Sequence, residues 1–358
     1  MFTYILRRIL SSIPVLFGIL AVTFILARSI PGDPCKAMLG EKATPEVCDQ
    51  FIHRYGLDKP ILTQFWLYIG RIVHGDFGES LRFGKPVTDL MLERLPTTLE
   101  LTFAAMGFSI FVGIPLGIIS AVRQNSMIDI GTMVVANIGI SMPVFWLGLM
   151  LAYVFALLLR GTPFQLPPSG RLSPGLSPEP FYVVWGLGNA SKSLVGVLDF
   201  ISNLNMLNAI LIGRLDIFWD AFKHILLPAV AVGTIPLALI ARMTRSSMLD
   251  VLGTDYMRTA RAKGLPRYKQ VLKHALRNAL LPLVTIIGLS LGSFLGGAVL
   301  TETIFNLSGV GRILFDGITA RDYVIVQSFT VVIAIFFVIL NLIVDISYVY
   351  LDPRVRLE

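Results

Sequence analysis

Side-chain patterns typical of catalysis or metal binding are missing from this chain of 358 residues. The sequence has no His-Glu-x-x-His zinc motif, no Gly-x-Ser-x-Gly nucleophile motif and no paired carboxylates inside an apolar run. It also lacks the phosphate-binding pattern Gly-x-x-x-x-Gly-Lys-[Ser/Thr]. We therefore predict that the chain is not an enzyme, holds no cofactor or metal of its own, and takes any energy it needs from another protein.

Two cysteines and one carboxylate stand out among the remaining reactive groups. Cys35 and Cys48 are the only cysteines; in an oxidising compartment they would form a disulfide, and two unrelated thiols are the alternative. Glu302 lies at the end of an apolar run, beside Thr301 and Thr303. It is a candidate gate residue, and a hydrated carboxylate at a helix end is the alternative.

The elements that position these groups belong to a membrane protein. Apolar residues make up 54% of the chain and charged residues 15%, whereas soluble chains average roughly 45–50% and about 25%. The net charge of +7 would also suit a nucleic-acid-binding protein. Basic residues near lipid, however, usually record membrane topology, so we expect the bilayer and not nucleic acid as the partner.

Six runs without charge are long enough to cross a hydrocarbon core as helices, which takes roughly 20 residues. The alternating polar pattern of a transmembrane barrel is absent. The predicted fold class is therefore all-α, a polytopic membrane protein with six transmembrane helices and no charge in the six cores. The runs are Ile9 to Ala27, Leu101 to Val122, Ile130 to Leu159, Ile225 to Ala241, Ala279 to Thr301 and Val324 to Val344.

The distribution of Lys and Arg predicts which side each loop faces. Fourteen of the 30 basic residues fall in the short segments 1–8, 123–129, 242–278 and 351–358. A high density of basic residues marks the cytoplasmic side. We therefore expect both termini in the cytoplasm, with the first run retained as a span instead of being cleaved as a signal peptide.

The predicted organisation has four parts, of which the third contains two long loops. The parts are the first transmembrane helix 1–28, an extracytoplasmic loop 29–96, the main transmembrane domain 97–348 and a cytoplasmic tail 349–358. The main domain has spans near 98–122, 130–159, 224–242, 279–301 and 324–346, an extracytoplasmic insert 160–222 and a cytoplasmic loop 243–278.

Two segments outside the spans have amphipathic patterns. In the first loop, Pro45 to Tyr55 is predicted to form a helix capped by Thr44 and ended by Gly56. A second helix, Pro60 to His74, has an apolar face that we expect to pack on the outer mouth of the bundle. In the insert, Leu194 to Gly213 contains Asp199 and three asparagines; we predict an interfacial segment, and a seventh span is the alternative.

Small residues within the spans predict where helices approach each other. Gly113 and Gly117 in the second span, and Gly288, Gly292 and Gly296 in the fifth, recur every four residues. Proline also occurs within or at the ends of five spans, where it can kink or end a helix.

The basic loop between the fourth and fifth spans is the most distinctive segment. Thr254 or Asp255 can cap a short helix that runs to Lys263, Gly264 can end it, and Pro266 opens a second helix. Two short helices joined by a glycine turn form a protruding knob suited to contact with a partner protein. A loop that only anchors topology beside anionic lipid is the alternative.

This loop carries a resemblance to a known family. Its segments Tyr256-Met-Arg-Thr-Ala-Arg-Ala-Lys-Gly264 and His274-Ala-Leu-Arg-Asn-Ala-Leu-Leu-Pro282 resemble the coupling loop of binding-protein-dependent ABC importer permeases. More narrowly, the chain is similar to the first permease subunit of dipeptide, oligopeptide and nickel importers. Further matching pieces are Arg7-Arg8, Ile30-Pro-Gly-Asp33, Gly75-Asp-Phe-Gly-Glu-Ser80, Thr97-Thr-Leu-Glu100, Thr301-Glu-Thr-Ile-Phe305, Gly309-Val-Gly311, Ala320-Arg-Asp322 and Tyr350-Leu-Asp-Pro-Arg354.

The chain departs from the general importer pattern at two points. The general signature begins with Glu-Ala-Ala, whereas the corresponding residues here are Arg258, Thr259 and Ala260, a habit of the peptide and nickel branch. The connection Gly161 to Trp219 is longer than usual, and what it contacts stays open.

The resemblance implies a type I ABC importer permease fold in a prokaryotic plasma membrane. It implies a heterodimeric pore with a second homologous permease subunit, two cytoplasmic ABC ATPase subunits that bind ATP and Mg, and an extracytoplasmic solute-binding protein. Separately, the position of Glu302 at the end of the fifth span suggests the hypothesis that it lines the outer gate and meets the positive end of a peptide. The residues that would dock the ATPase are Tyr256, Arg258, Thr259, Ala260, Ala262 and Gly264.

Two other classes of protein stay open on the residues alone. One is a membrane scaffold that recruits a soluble partner through the basic loop, without transport. The other is an ion-coupled carrier, although such carriers commonly place an ionisable group at mid-membrane depth. Cargo choice is delegated largely to the separate binding protein, so a pore sequence encodes little of it.

Overall fold

The computed structural model describes residues 2–29, 43–56, 58–80, 82–189 and 191–351, and most of these residues are helical. Cys35, the motif 30–33 and the tail beyond 351 lie outside the described residues. Cys48 lies on a helix of the first loop, and its disulfide to Cys35 stays a prediction.

The elements follow one another as short and long helices with one small hairpin. They are α1 (Phe2–Ser29), α2 (Pro45–Tyr55), α3 (Ile61–Val73), β1 (Glu79–Ser80), β2 (Lys85–Pro86), α4 (Val87–Val122), α5 (Met127–Ser141), α6 (Val144–Ala152), α7 (Phe181–Val184), α8 (Lys192–Ser202), α9 (Asn205–Leu211), α10 (Leu215–Leu252), α11 (Asp255–Ala262), α12 (Arg267–Lys269), α13 (Leu276–Ala279), α14 (Leu281–Gly297), α15 (Val299–Ile304), α16 (Val310–Thr319) and α17 (Tyr323–Leu351). Two π-helical segments, Tyr153–Leu158 and Gln270–Ala275, continue α6 and α12, and β1 pairs antiparallel with β2.

Four helices among the described residues are long and apolar enough to cross a bilayer singly: α1, α4, α10 and α17. Three further candidates are bent pairs, which brings the count to as many as seven. The pairs are α5 with α6 (102°), α8 with α9 (104°), and 267–279 with 281–294 (56°). The all-α, multi-pass class is therefore confirmed.

The predicted span 130–159 differs from the structure, because it is not one straight helix. It breaks at Pro143, where α5 and α6 meet at 102°. Proline has no N–H to donate and disfavours the helical conformation of the residue before it; Met142 accordingly has φ −96° and ψ 132°. The prolines at 115, 228 and 236 instead remain inside continuous helices.

The helices of the first loop form where the caps predict them. Thr44 Oγ1 accepts the N–H of Val47 (3.4 Å), and Gly56 ends α2 with φ +66°. The position of α3 differs from the expectation of a helix on the outer mouth. Its Phe65 ring packs edge-on against Phe17 and at a tilt against Phe24 of α1, a helix that is itself mostly exposed.

The segment 194–213 forms α8 and α9, two short helices bent sharply against each other. At 11 and 7 residues, neither is long enough to cross a bilayer. Asn208 is buried, and hydrogen bonds satisfy its amide there. Its side chain accepts the N–H of Phe181 (2.8 Å) and donates to the carbonyl of Glu179 (3.1 Å). This arrangement favours the predicted insert over a seventh span.

The core is built on the long contact between α4 and α10, with α14 packed beside them. A Cβ added to Gly117 of α4 would lie 2.5 Å from Thr244 Cβ and 2.6 Å from the Ala241 carbonyl of α10. Gly113 meets α10 in the same way at Leu237 and Ile240. The two backbones therefore approach so closely that only glycine fits.

A second close contact joins α14 to α17. An added Cβ would collide with Val344 at Gly288 and with Phe337 at Gly292. The predicted close approach at four of the five spaced glycines is therefore confirmed, and for Gly296 it stays a prediction.

Replacement of Gly117 by alanine should destabilise the chain, because the new methyl group meets backbone and side chain of α10. Overpacking of this kind typically costs about 1–3 kcal/mol. We expect Gly117→Ala to lower the thermal unfolding midpoint in detergent by several degrees.

Gly107→Ala on the same helix is the matched control. A Cβ at Gly107 has no atom within 4 Å, so this change should leave the midpoint unchanged or raise it slightly. Equal midpoints for the two variants would contradict the close contact.

Candidate functional site

The knob predicted in the basic loop is α11 and the turn after it. Thr254 occupies the N-cap position in extended conformation, but its hydroxyl donates to the Val251 carbonyl (2.6 Å) and makes no cap bond to the helix. Gly264 follows the helix with φ +69°, a conformation that strains any other residue. Pro266 then opens α12, as predicted.

One side of α11 is buried in the chain itself. Met257 is 0% exposed and Ala260 is 7% exposed, and Met257 packs with Ala121 of α4, Met248 of α10 and Ala275. The predicted docking residue Ala260 thus faces inward, because helical periodicity places it one turn from Met257 on the same face. The other five predicted docking residues, Tyr256, Arg258, Thr259, Ala262 and Gly264, are exposed.

Hydrogen bonds fix the position of α11 relative to its neighbours. Asn278 donates to the hydroxyl of Tyr256 (2.8 Å), and Arg261 donates to the carbonyl of Leu252 at the end of α10 (2.7 Å). The pair Arg258–Asp255 (3.1 Å) is almost fully solvated and adds little. The helix is therefore seated on the ends of α4 and α10 by its buried face, and the two bonds join it to α10 and α13.

A buried ion pair joins α5 to α10 near the same end of the bundle, and the sequence analysis missed it. Arg245 donates two hydrogen bonds of 2.8 Å to the carboxylate of Asp129, which is 4% exposed. Ser120 of α4 donates to the same carboxylate, and Asn125 N–H donates to it at 3.0 Å. The only sequence signal was Asp129 three residues after Ser126, whose hydroxyl caps α5.

The predicted gate residue Glu302 is fully buried. Its carboxylate accepts from the hydroxyl of Thr98 (2.6 Å) and from the N–H of Arg312 (2.9 Å), and Thr98 in turn accepts the N–H of Val310 (2.8 Å). A gate residue that meets a peptide needs an accessible carboxylate, whereas this one is 0% exposed. In this structure Glu302 joins α4, α15 and α16.

This arrangement explains the motif Gly309-Val-Gly311. A Cβ on Gly309 would collide with the Glu302 carboxylate, and a Cβ on Gly311 would collide with the backbone of Val299 and lie 3.1 Å from the same carboxylate. The glycines therefore let the start of α16 wrap around the buried acid.

A second acid, Glu100, anchors the insert to α4. It pairs with Arg171 (2.9 Å) and accepts the N–H of Met206 (2.7 Å), and Glu100 is 7% exposed. Ser173 binds Asp220 of α10 through its N–H (2.7 Å) and its hydroxyl (2.6 Å). The insert is thus fixed to both long helices.

Distant motifs of the sequence meet in pairs. Ser80 donates to Asp322 (2.7 Å) across 242 positions of the chain, and both residues are buried. Arg8 of α1 pairs with Asp345 of α17 (3.2 Å). Such pairings could not be read from spacing, because each depends on the packing of helices far apart in sequence.

Together, these features define a helical multi-pass membrane protein with a firmly seated knob on one side and an anchored insert on its long helices. In the part of the chain that the structure describes, no group of three or more His, Cys, Asp or Glu residues is placed to hold a metal ion.

Comparison with known proteins identifies the family. Residues 113–357 match the binding-protein-dependent transport system inner membrane component, and residues 1–102 match the N-terminal component of the same system. The chain belongs to this family, as the resemblance implied, and it is a non-catalytic, multi-pass ABC importer permease of the plasma membrane.

Full-length relatives have closely related names. The chain is 44% identical to the dipeptide transport system permease protein DppB of Alkalihalophilus pseudofirmus over 99% of this chain and 100% of the relative. It is 43% identical to the di/tripeptide transport system permease protein DppB of Pseudomonas aeruginosa over 99% of both chains. It is 38% identical to the oligopeptide transport system permease protein AppB of Bacillus subtilis over 99% of this chain and 100% of the relative.

Loss of the buried acid should destabilise the junction of α4, α15 and α16. Glu302→Gln removes an acceptor and leaves the Thr98 hydroxyl or the Arg312 N–H without its partner, which costs about 1–3 kcal/mol. We expect a lower thermal unfolding midpoint in detergent.

Glu93→Gln provides the comparison, because Glu93 pairs with Lys85 on the surface and such pairs contribute at most about 1 kcal/mol. If Glu302→Gln were as stable as Glu93→Gln but lost peptide transport, a gate would explain Glu302 better than a structural role.

Proposed function

We propose that this chain lines the translocation pore for dipeptides or oligopeptides in an ATP-driven importer. The observation that supports peptides as the cargo is the identity of 43–44% to dipeptide and di/tripeptide permeases over nearly the full length of each chain. Membership in a transport family also leaves no support for a scaffold without transport.

Six crossings with both ends on one side form the proposed topology. We count α1, α4, α10 and α17, together with α5–α6 and the helices around α14, and we assign α8–α9 to the insert. The pair Arg8–Asp345 supports an even number of crossings, because it joins the start of α1 to the end of α17. The excess of Lys and Arg supports assigning that side to the cytoplasm.

The knob lies on the same side as these two ends. Val344, near the end of α17, packs on Gly288 in the first half of α14, and α14 follows directly from the basic loop. The exposed side of α11 therefore faces the cytoplasm in this topology.

The proposed partners are a second homologous permease subunit, two ATPase subunits and a solute-binding protein. ATP and Mg bind to the ATPases. Closure of the ATPases moves α11, and the buried side of α11 transmits that movement to α4 and α10. The pore then alternates between inward and outward access, and the binding protein delivers peptide on the side of the insert.

The docking face in this proposal is narrower than the sequence predicted. It consists of Tyr256, Arg258, Thr259, Ala262 and Gly264, while Ala260 seats the helix on its own chain. Arg258 is 73% exposed along its side chain and gives the face positive charge. A partner groove with acidic residues would complement it.

Ala262→Arg should uncouple the permease from its ATPases. Ala262 is exposed and small, so an arginine there blocks close approach without touching the core of this chain. We expect a loss of ATPase co-purification of at least about tenfold, which corresponds to 1.4 kcal/mol, and loss of ATP-dependent dipeptide uptake in proteoliposomes.

Gln124→Arg is the matched control, since Gln124 is exposed in the short turn after α4 but lies outside the docking face. Both variants should unfold at the temperature of the unaltered protein. Normal ATPase binding by Ala262→Arg would refute the docking face.

A further inference from the structure

Helix α3 contacts the central part of α1 and not only the end of α1 at Ser29. The ring of Phe65 lies 5.6 Å from the ring of Phe17 and 5.3 Å from that of Phe24, measured between centroids. Trp66 lies 6.3 Å from Phe17. These contacts place the middle of α3 beside the central part of α1, well below its outer end at Ser29.

The apolar run of α1 gives the depth of this contact. The run covers 9–27 and has its midpoint at residue 18, so Phe17 is one residue from the centre. At 1.5 Å per residue, Phe17 lies about 15 Å from the outer end of the run. Since the hydrocarbon core is about 30 Å thick, a ring that contacts Phe17 lies within the hydrocarbon and not above it.

The polar groups of α3 are arranged for such a position. Gln64 accepts a hydrogen bond from Arg28 Nε (3.0 Å) and donates to the carbonyl of Lys59 (2.7 Å). Arg71 is the one charged residue of the helix and lies in its last turn. A helix satisfies its own backbone groups in lipid, so the backbone of α3 is compatible with this depth.

The side of α3 next to this contact is apolar and uncovered. Leu62 is 70% exposed, Trp66 61% and Val73 76%, and Phe17 of α1, which Trp66 contacts, is itself 43% exposed. A continuous apolar surface of this kind rarely faces water. Its continuity with a membrane-crossing helix indicates what covers it.

We propose that α3 is embedded in the outer leaflet and that Leu62, Trp66 and Val73 contact lipid acyl chains. The first loop is then divided by depth, with α2 outside the membrane and α3 inside it. This assignment makes α3 part of the membrane anchor of the subunit and removes it from the surface available to a soluble partner.

Collision accessibility of a nitroxide tests this position in the assembled transporter. The label is carried on a ketone-bearing residue at position 62, so that Cys35 and Cys48 stay untouched, and the complex is reconstituted in phosphatidylcholine vesicles. We expect collisions with oxygen to exceed those with a water-soluble nickel chelate by several-fold. A label at Trp66 repeats the test if the first variant does not assemble.

Phe164 of the insert is the control position, because it has the same 70% exposure as Leu62. There the nickel chelate should dominate. Nickel collisions at position 62 as frequent as at position 164 would overturn the proposal and place α3 in water. Low accessibility to both reagents at positions 62 and 66 would also overturn it, since a protein partner would then cover the helix.

Discussion

The close approach of α4 and α10 is the constraint on which the rest of this structure depends. Glycine at 113 and 117 removes the side chains that would separate the two backbones, and Gly233 of α10 accepts a hydrogen bond through its carbonyl from Ser109 (2.7 Å). Lipid gives little hydrophobic force between helices, so such packing supplies much of the association. The insert and α11 are both attached to this helix pair.

Buried acids join the remaining elements to that pair. Glu100 fixes the insert, Glu302 fixes α15 and α16, and Asp129 fixes α5 to α10. An unpaired carboxylate in an apolar interior is strongly unfavourable, and each of these acids accepts several hydrogen bonds. Such acids favour one packing of the helices, because a shifted neighbour would leave the charge without its partners.

Local sequence predicted the local structure well. Thr44, Gly56, Gly264 and Pro266 lie at helix ends where capping chemistry expects them, and the spaced glycines lie at helix contacts. Interactions between distant segments could not be predicted, since neither the burial of Glu302 nor its pairing with Thr98 has a local signal. The 102° bend at Pro143 needed tertiary context too, because five other prolines remain within continuous helices.

We propose that α11 moves as one body with the ends of α4 and α10 on which it is seated. The most direct measurement is a spin-label distance between position 124, after α4, and position 255, at the start of α11, in the full transporter with and without ATP and Mg. Both sites are exposed and lie outside the docking face. We expect one narrow distance between positions 124 and 255, and this distance should stay unchanged while the same sample hydrolyses ATP. A distance that shifts by several ångströms on nucleotide binding would contradict it, because α11 would then move independently of the helices it is proposed to drive.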